Sequence, residues 1–208
     1  MRKIEKGGLA ILEAWKRRNP GTRYHDLVGH GEIKDAIRQA CVAEQHGLCA
    51  YCCRGISSEK VSSHNEHVEA QNLARNRTLD FQNIVASCNK PGRCGDAHRS
   101  QPLPLTPLMD ECETELLFEL SGAVEGLTER ANASIRVLKL NNRGLIGERR
   151  AMVDTLLYSN GGLDAAELRL TTDDLLNLLL DDLRQIDREQ KLQPFSPVLV
   201  NVIRSLRA

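Results

Sequence analysis

The 208-residue chain has few aromatic residues, no net charge and no long apolar run, and each lack removes a class of protein. Aromatics make up 3% of it, so the core has to rest on Leu, Ile, Val and Ala, and no base-stacking surface announces itself. A formal charge of zero excludes binding an anionic polymer by bulk charge alone. No stretch of 18 apolar residues occurs, which excludes a spanning helix. The opening "MRKIEKGGLAILEAWKRRNPG" has a charged head but lacks the apolar stretch and cleavage site of a signal peptide. The expected location is the cytoplasm, where thiols stay reduced. Seven cysteines, an odd number, also speak against a disulfide framework.

The charge that is present is uneven. Residues 1–40 carry nine Lys/Arg against five Asp/Glu, residues 41–101 seven against six, and residues 102–208 twelve against seventeen. A phosphate backbone would meet the first half rather than the second. Helical spacing marks 8–18 and 32–46, the latter through Ile33, Ala36, Ile37, Ala40 and Cys41. Residues 49–101 are polar, hold five of the seven cysteines and are too poor in apolar residues to fold without a staple. "RGISSEKVSSHNEHV" reads as a short hairpin, "NIVASC" as a strand or the approach to a turn, and "DAHRS" as the beginning of a short helix. The proline-rich "QPLPLTPL" is a linker or brace. Beyond it the spacing predicts helices over 111–120, 128–140, 144–158, 172–191 and 195–206, with a Thr-Thr-Asp start signal at 171–173. The leucine stripe from 175 to 183 is too apolar for one helix face and reads as packing or partner-docking surface.

Cys49-x2-Cys52 and Cys88-x5-Cys94 form two pairs, and zinc prefers four thiolates, two from each of two knuckles. Cys53 is an alternative to Cys52, while Cys41 and Cys112 read as buried small residues. Between the pairs, "NEHVEAQ" sets Glu66 beside His67, and "FQNIVASC" places Asn83 five residues before Cys88. A structural zinc ribbon needs neither. Phosphodiester hydrolysis needs a base to deprotonate water and a divalent ion to stabilise charge at phosphorus. Histidine has the right pKa for the base, and the carboxylate is a natural ligand for a hard ion. His64 reads as an exposed strand residue, and Arg75 and Arg77 as loop residues able to meet phosphates.

The run "CAYC…EHV…NIVASC…C…H" resembles the motif of HNH endonucleases. That resemblance implies an α+β chain: a helical arm over 1–40, a zinc-stapled ββα-metal core over 41–101 and an α-helical region over 102–208. It implies His67 as general base, Asn83 as the central Asn that orients the loop, and Glu66 as a ligand of catalytic Mg²⁺ or Mn²⁺. Zn²⁺ on Cys49, Cys52, Cys88 and Cys94 would be structural. The family's third ligand directly follows the last cysteine, where this chain has Gly95. His98 is the first choice for that role, with Asp96 and Asn89 behind it. More narrowly, the chain is similar to HNH subunits of Septu-type and retron-associated antiphage systems. That implies a nucleic acid substrate, an ABC/SMC-like ATPase partner and, in some systems, a retron reverse transcriptase with its RNA–DNA hybrid. The reading from another class is a non-catalytic zinc-ribbon interaction module.

Overall fold

Helix α2 (Gly31–Glu44) carries the chain into the cysteine-rich segment. Its Ile33, Ile37 and Cys41 recur every four residues and are buried, which commits one face to the interior. The computed structural model describes residues 1–159 and 173–206. After α2, His46 and Gly47 adopt positive φ (51° and 72°) and turn the chain sharply into residues 48–55. Gln45, buried at the helix end, holds this corner. Its Nε2 donates to the carbonyls of Leu48 and Ala86, and its Oε1 accepts from the Ala86 amide.

Ala86 belongs to β2 (Ile84–Cys88), which pairs antiparallel with β1 (Ser63–His67). The register sets Ser63 opposite Cys88, Glu66 opposite Val85 and His67 opposite Ile84. All of β2 is buried, including Ser87, whose hydroxyl accepts from the Gly95 amide (3.0 Å), and α2 packs on both strands. A one-turn helix, α3 (Gly95–His98), follows β2. The expected strand and short helix are therefore present. "RGISSEKVSSHNEHV" is not itself a hairpin: only its end forms β1, whose partner lies beyond a long loop.

The C-terminal region is not all helical. Residues 111–120, expected as helix, form a 3-10 turn and then strand β3 (Leu116–Phe118), paired with β4 (Val124–Gly126). Leu116 and Phe118 are buried and Leu117 less so, a period of two. Gly122 makes the turn at φ +83°, and a Cβ there would lie 2.3 Å from the Ile146 carbonyl. The remaining helices among the described residues are α1 (Ala10–Arg18), α4 (Glu129–Val137), α5 (Arg143–Ser159), α6 (Asp173–Leu183) and α7 (Ser196–Ser205). The Thr171-Thr172 part of the start signal lies outside the described residues. Helix α6 stops well short of 191. Leu176, Leu179, Leu180 and Leu183 are buried, so most of the leucine stripe packs within the chain, while Leu175 and Leu178 stay exposed.

The chain is α+β, with two small antiparallel sheets among the described residues. One buried cluster runs from Ile4 and Leu12 through Ile37 and Ile84 to Leu138, Leu199 and Ile203, so all three stretches of sequence share it. The segment before α7 lies on the 46–55 turn: Leu192 N–H donates to the His46 carbonyl and Phe195 N–H to the Cys53 carbonyl. Among the described residues no helix is long and apolar enough to cross a membrane.

Candidate metal centres

Cys49, Cys52, Cys88 and Cys94 are buried and their sulfurs lie within 4.8 Å of one another. Cys52 Sγ and Cys88 Sγ are 3.9 Å apart. A tetrahedron with Zn–S bonds of about 2.3 Å has edges of about 3.8 Å, so the spacing fits one ion. The local chain explains it. Cys53 N–H donates to the Cys49 carbonyl, and Cys53 (φ 61°) turns the backbone so that its own thiol stays outside the quartet. Cys94 (φ 54°) turns the second knuckle.

The surroundings favour thiolate at Cys49 and oppose it at Cys52 and Cys94, whose contacts with Cys49 hold their thiols well above the ordinary pKa. Burial resists ionising Cys49, but hydrogen bonds from Cys52, Cys88 and Cys94 outweigh it and hold the thiol well below its ordinary pKa. The Cys88 amide also donates to Cys49 Sγ (3.3 Å). A fully buried arginine, Arg149, supplies countercharge: burial lowers its pKa to about 10, and nearby Cys52, Cys53 and Cys94 oppose that fall. Its Nη2 donates to the Leu140 carbonyl, while Nε and Nη1 have no hydrogen-bond partner among the described residues. An ion with four thiolates carries net negative charge, which matches this cation. The quartet can hold a metal ion such as zinc.

A second cluster lies on the other side of Gly95. Strand alternation puts His64 and Glu66 on one face of β1. His98, fully buried on α3, sets Nδ1 2.6 Å from Glu66 Oε1, and its Nε2 is 2.8 Å from the Gln101 carbonyl. His64 Nε2 is 3.5 Å from Glu66 Oε2. Burial works against ionisation of Glu66, but the bonds from His64 and His98 more than offset it, so its pKa is lowered. Tyr51 packs edge-on against His98 (6.2 Å), and its buried hydroxyl has no hydrogen-bond partner among the described residues. Of the expected ligands, Glu66 and His98 come together. Asp96 is exposed and accepts from the Gly92 amide, and Asn89 bonds His64 instead. His64, read from sequence as an exposed strand residue, was the ligand candidate that sequence reasoning missed. Its signal is the i, i+2 spacing from Glu66.

His67 points to the opposite face of β1. Its ring is 5% exposed, edge-on to Tyr24 at 4.8 Å, with Nε2 2.8 Å from the Thr78 carbonyl. A carbonyl only accepts, so Nε2 carries the proton and Nδ1 the lone pair. Burial lowers the ring's pKa, and the Thr78 carbonyl and Glu66 only partly offset it, so the ring is neutral at pH 7. Asn83, also buried, closes the loop that follows: Oδ1 accepts from Glu69 N–H (2.8 Å) and Nδ2 donates to the Glu69 carbonyl (3.0 Å). Arg77 spends its charge on Glu69 and Asp80, whereas Arg75 is exposed.

A cavity of about 250 Å³ near α6 and α7, lined by Phe118, Leu183, Ile186 and Val200, shares no residue with either cluster. The clusters are packed side chains rather than a preformed hollow, so the chemistry is read from them and not from the cavity. Compared with known proteins, the chain matches no family model and no curated protein.

Proposed function

We propose that this chain is a metal-dependent HNH-type endonuclease that hydrolyses phosphodiester bonds in nucleic acid. One observation carries the reading: a neutral histidine with a fixed tautomer sits one residue from a carboxylate that meets a buried histidine, on a strand pair clamped by four cysteines. β1, β2 and α3 follow one another in the order a ββα-metal core requires.

His67 Nδ1 takes the proton from the attacking water, while the Thr78 carbonyl holds Nε2–H and Tyr24 fixes the ring plane. Asn83 is a positioning residue. It ties Glu69 to the far end of the loop and so fixes the backbone that presents Thr78. Glu66 and His98 are the residues that would hold a divalent ion, which would supply electrostatic stabilisation of charge developing at the phosphoryl group. Glu66 and His67 project to opposite faces at the end of β1, so a phosphodiester would have to lie across that strand end to meet both.

The similarity to antiphage HNH subunits supports DNA, or an RNA such as tRNA, as substrate and an ABC/SMC-like ATPase as partner, with a retron reverse transcriptase and its hybrid in some systems. The test is cleavage of DNA and of total RNA by the purified zinc-loaded chain, with and without the ATPase. Cutting should require an added divalent ion and stop with EDTA. Intact substrate under every one of these conditions would favour the zinc-ribbon interaction module.

Gly95 stands where the family has a ligand. A Cβ there would lie 2.6 Å from His64 Nε2 and 2.9 Å from Glu66 Oε2, so the position has no room for a side chain. Gly95→Ala should displace the Glu66 carboxylate and cost about 10²-fold in cleavage rate. Zinc content should be unchanged. Wild-type rates in this variant would show that the cluster is not where the reaction is organised.

A further inference from the structure

His64 takes part in the Glu66–His98 cluster through chemistry that can be read atom by atom. Its Nδ1 is 2.6 Å from Asn89 Oδ1. The Asn89 amide group donates Nδ2 to the Lys60 carbonyl, which fixes the side chain's orientation and makes Oδ1 the acceptor. His64 Nδ1 therefore carries the proton, and in a neutral ring Nε2 presents a lone pair to Glu66 Oε2. His98 repeats the pattern in reverse: Nε2–H donates to the Gln101 carbonyl, and Nδ1 presents its lone pair to Glu66 Oε1. Both oxygens of one carboxylate thus face ring nitrogens whose other proton is already committed. Either an extra proton on each ring or a shared cation resolves that confrontation. Donation of the outer N–H to a carbonyl oxygen is the usual support of a metal-ligating histidine.

We propose that His64, Glu66 and His98 form a two-histidine, one-carboxylate site for a first-row transition ion such as Mn²⁺, Fe²⁺, Co²⁺, Ni²⁺ or Zn²⁺, in preference to Mg²⁺. Asn89 and the Gln101 carbonyl orient the two rings. Mg²⁺ favours oxygen donors and keeps several waters, whereas imidazole nitrogen suits the later ions. His98 stands in for the ligand that Gly95 cannot provide, His64 adds one beyond it, and the missing Cβ of Gly95 leaves the volume between His64 and Glu66 open. The inference rests on the reading that Glu66 and His98 hold the catalytic ion. What it adds is the third ligand and the class of ion.

The experiment is a Mn²⁺ titration of the zinc-loaded chain, followed by electron paramagnetic resonance and calorimetry, with Mg²⁺ as competitor. Mn²⁺ is the stringent probe, because it is the weakest binder of the transition series. Wild type should take up one Mn²⁺ beyond its zinc and keep it against about 100-fold excess Mg²⁺. His64→Ala and the size-preserving His64→Gln should each weaken Mn²⁺ by about 100-fold, and Asn89→Ala by about tenfold, with zinc content and circular dichroism unchanged. Wild-type affinity in both His64 variants, with loss in Glu66→Ala and His98→Ala, would remove His64 from the site and leave the two-ligand reading standing. Displacement by equimolar Mg²⁺ would overturn the class of ion. No Mn²⁺ site in wild type would mean that protons fill the cluster, and would overturn both.

Discussion

Cys49→Ala should leave a chain that binds no zinc and does not unfold cooperatively at 25 °C. A structural zinc site supplies roughly 10–16 kcal/mol in small domains, against a total stability of roughly 5–15 kcal/mol for a typical fold. Cys49 also accepts from the Cys88 amide, so its sulfur joins the first knuckle to the end of β2. Its loss leaves three buried thiols and a buried Arg149 without the charge that balances it. Cys53→Ala is the control. Cys53 is equally buried but lies outside the quartet, so its replacement should cost about 1 kcal/mol and keep the metal. Zinc content by mass spectrometry and thermal melts by circular dichroism check both. A folded, zinc-free Cys49→Ala protein that still melts cooperatively would remove the clamp from the account.

His67→Ala should lower the cleavage rate by about 10²- to 10⁴-fold, the usual contribution of a positioned base. The fold should survive, because the ring makes one hydrogen bond and one edge-on contact, and zinc should stay bound. Single-turnover cleavage separates this from a binding defect: substrate affinity should move little while the chemical step slows. A variant cutting within threefold of wild type would transfer the base role elsewhere. The pair of variants also separates two jobs within one segment, since the first abolishes structure and the second only chemistry.

The parts of the fold that depend on neighbours in sequence were legible. The four cysteines, the strand "IVASC" and the short helix ending in His98 follow from local spacing and residue type. β3 was not legible. Its "LLF" fits a helix or a strand, and the choice is made by Asn201, distant in sequence. Asn201 accepts from the Phe118 amide and donates to the Leu116 carbonyl, binding the outer edge of the hairpin to α7. His64 was hidden for a related reason. The i, i+2 spacing from Glu66 is a weak signal by itself, and it gains meaning only when Asn89, 25 residues on, fixes which nitrogen faces inward. The leucines of α6 read equally as packing or as partner-docking surface, because the helix that covers them comes after a long loop.

The covering of the first knuckle by residues 192–195 has a consequence in time. The His46 and Cys53 carbonyls obtain their partners from amides roughly 140 residues later. At about 5–20 residues per second of synthesis, that gap lasts about 7–30 s. For that interval a growing chain presents both carbonyls to water, and metal arriving then meets an uncovered knuckle. Metal arriving later meets one already closed by Phe195 and Leu192.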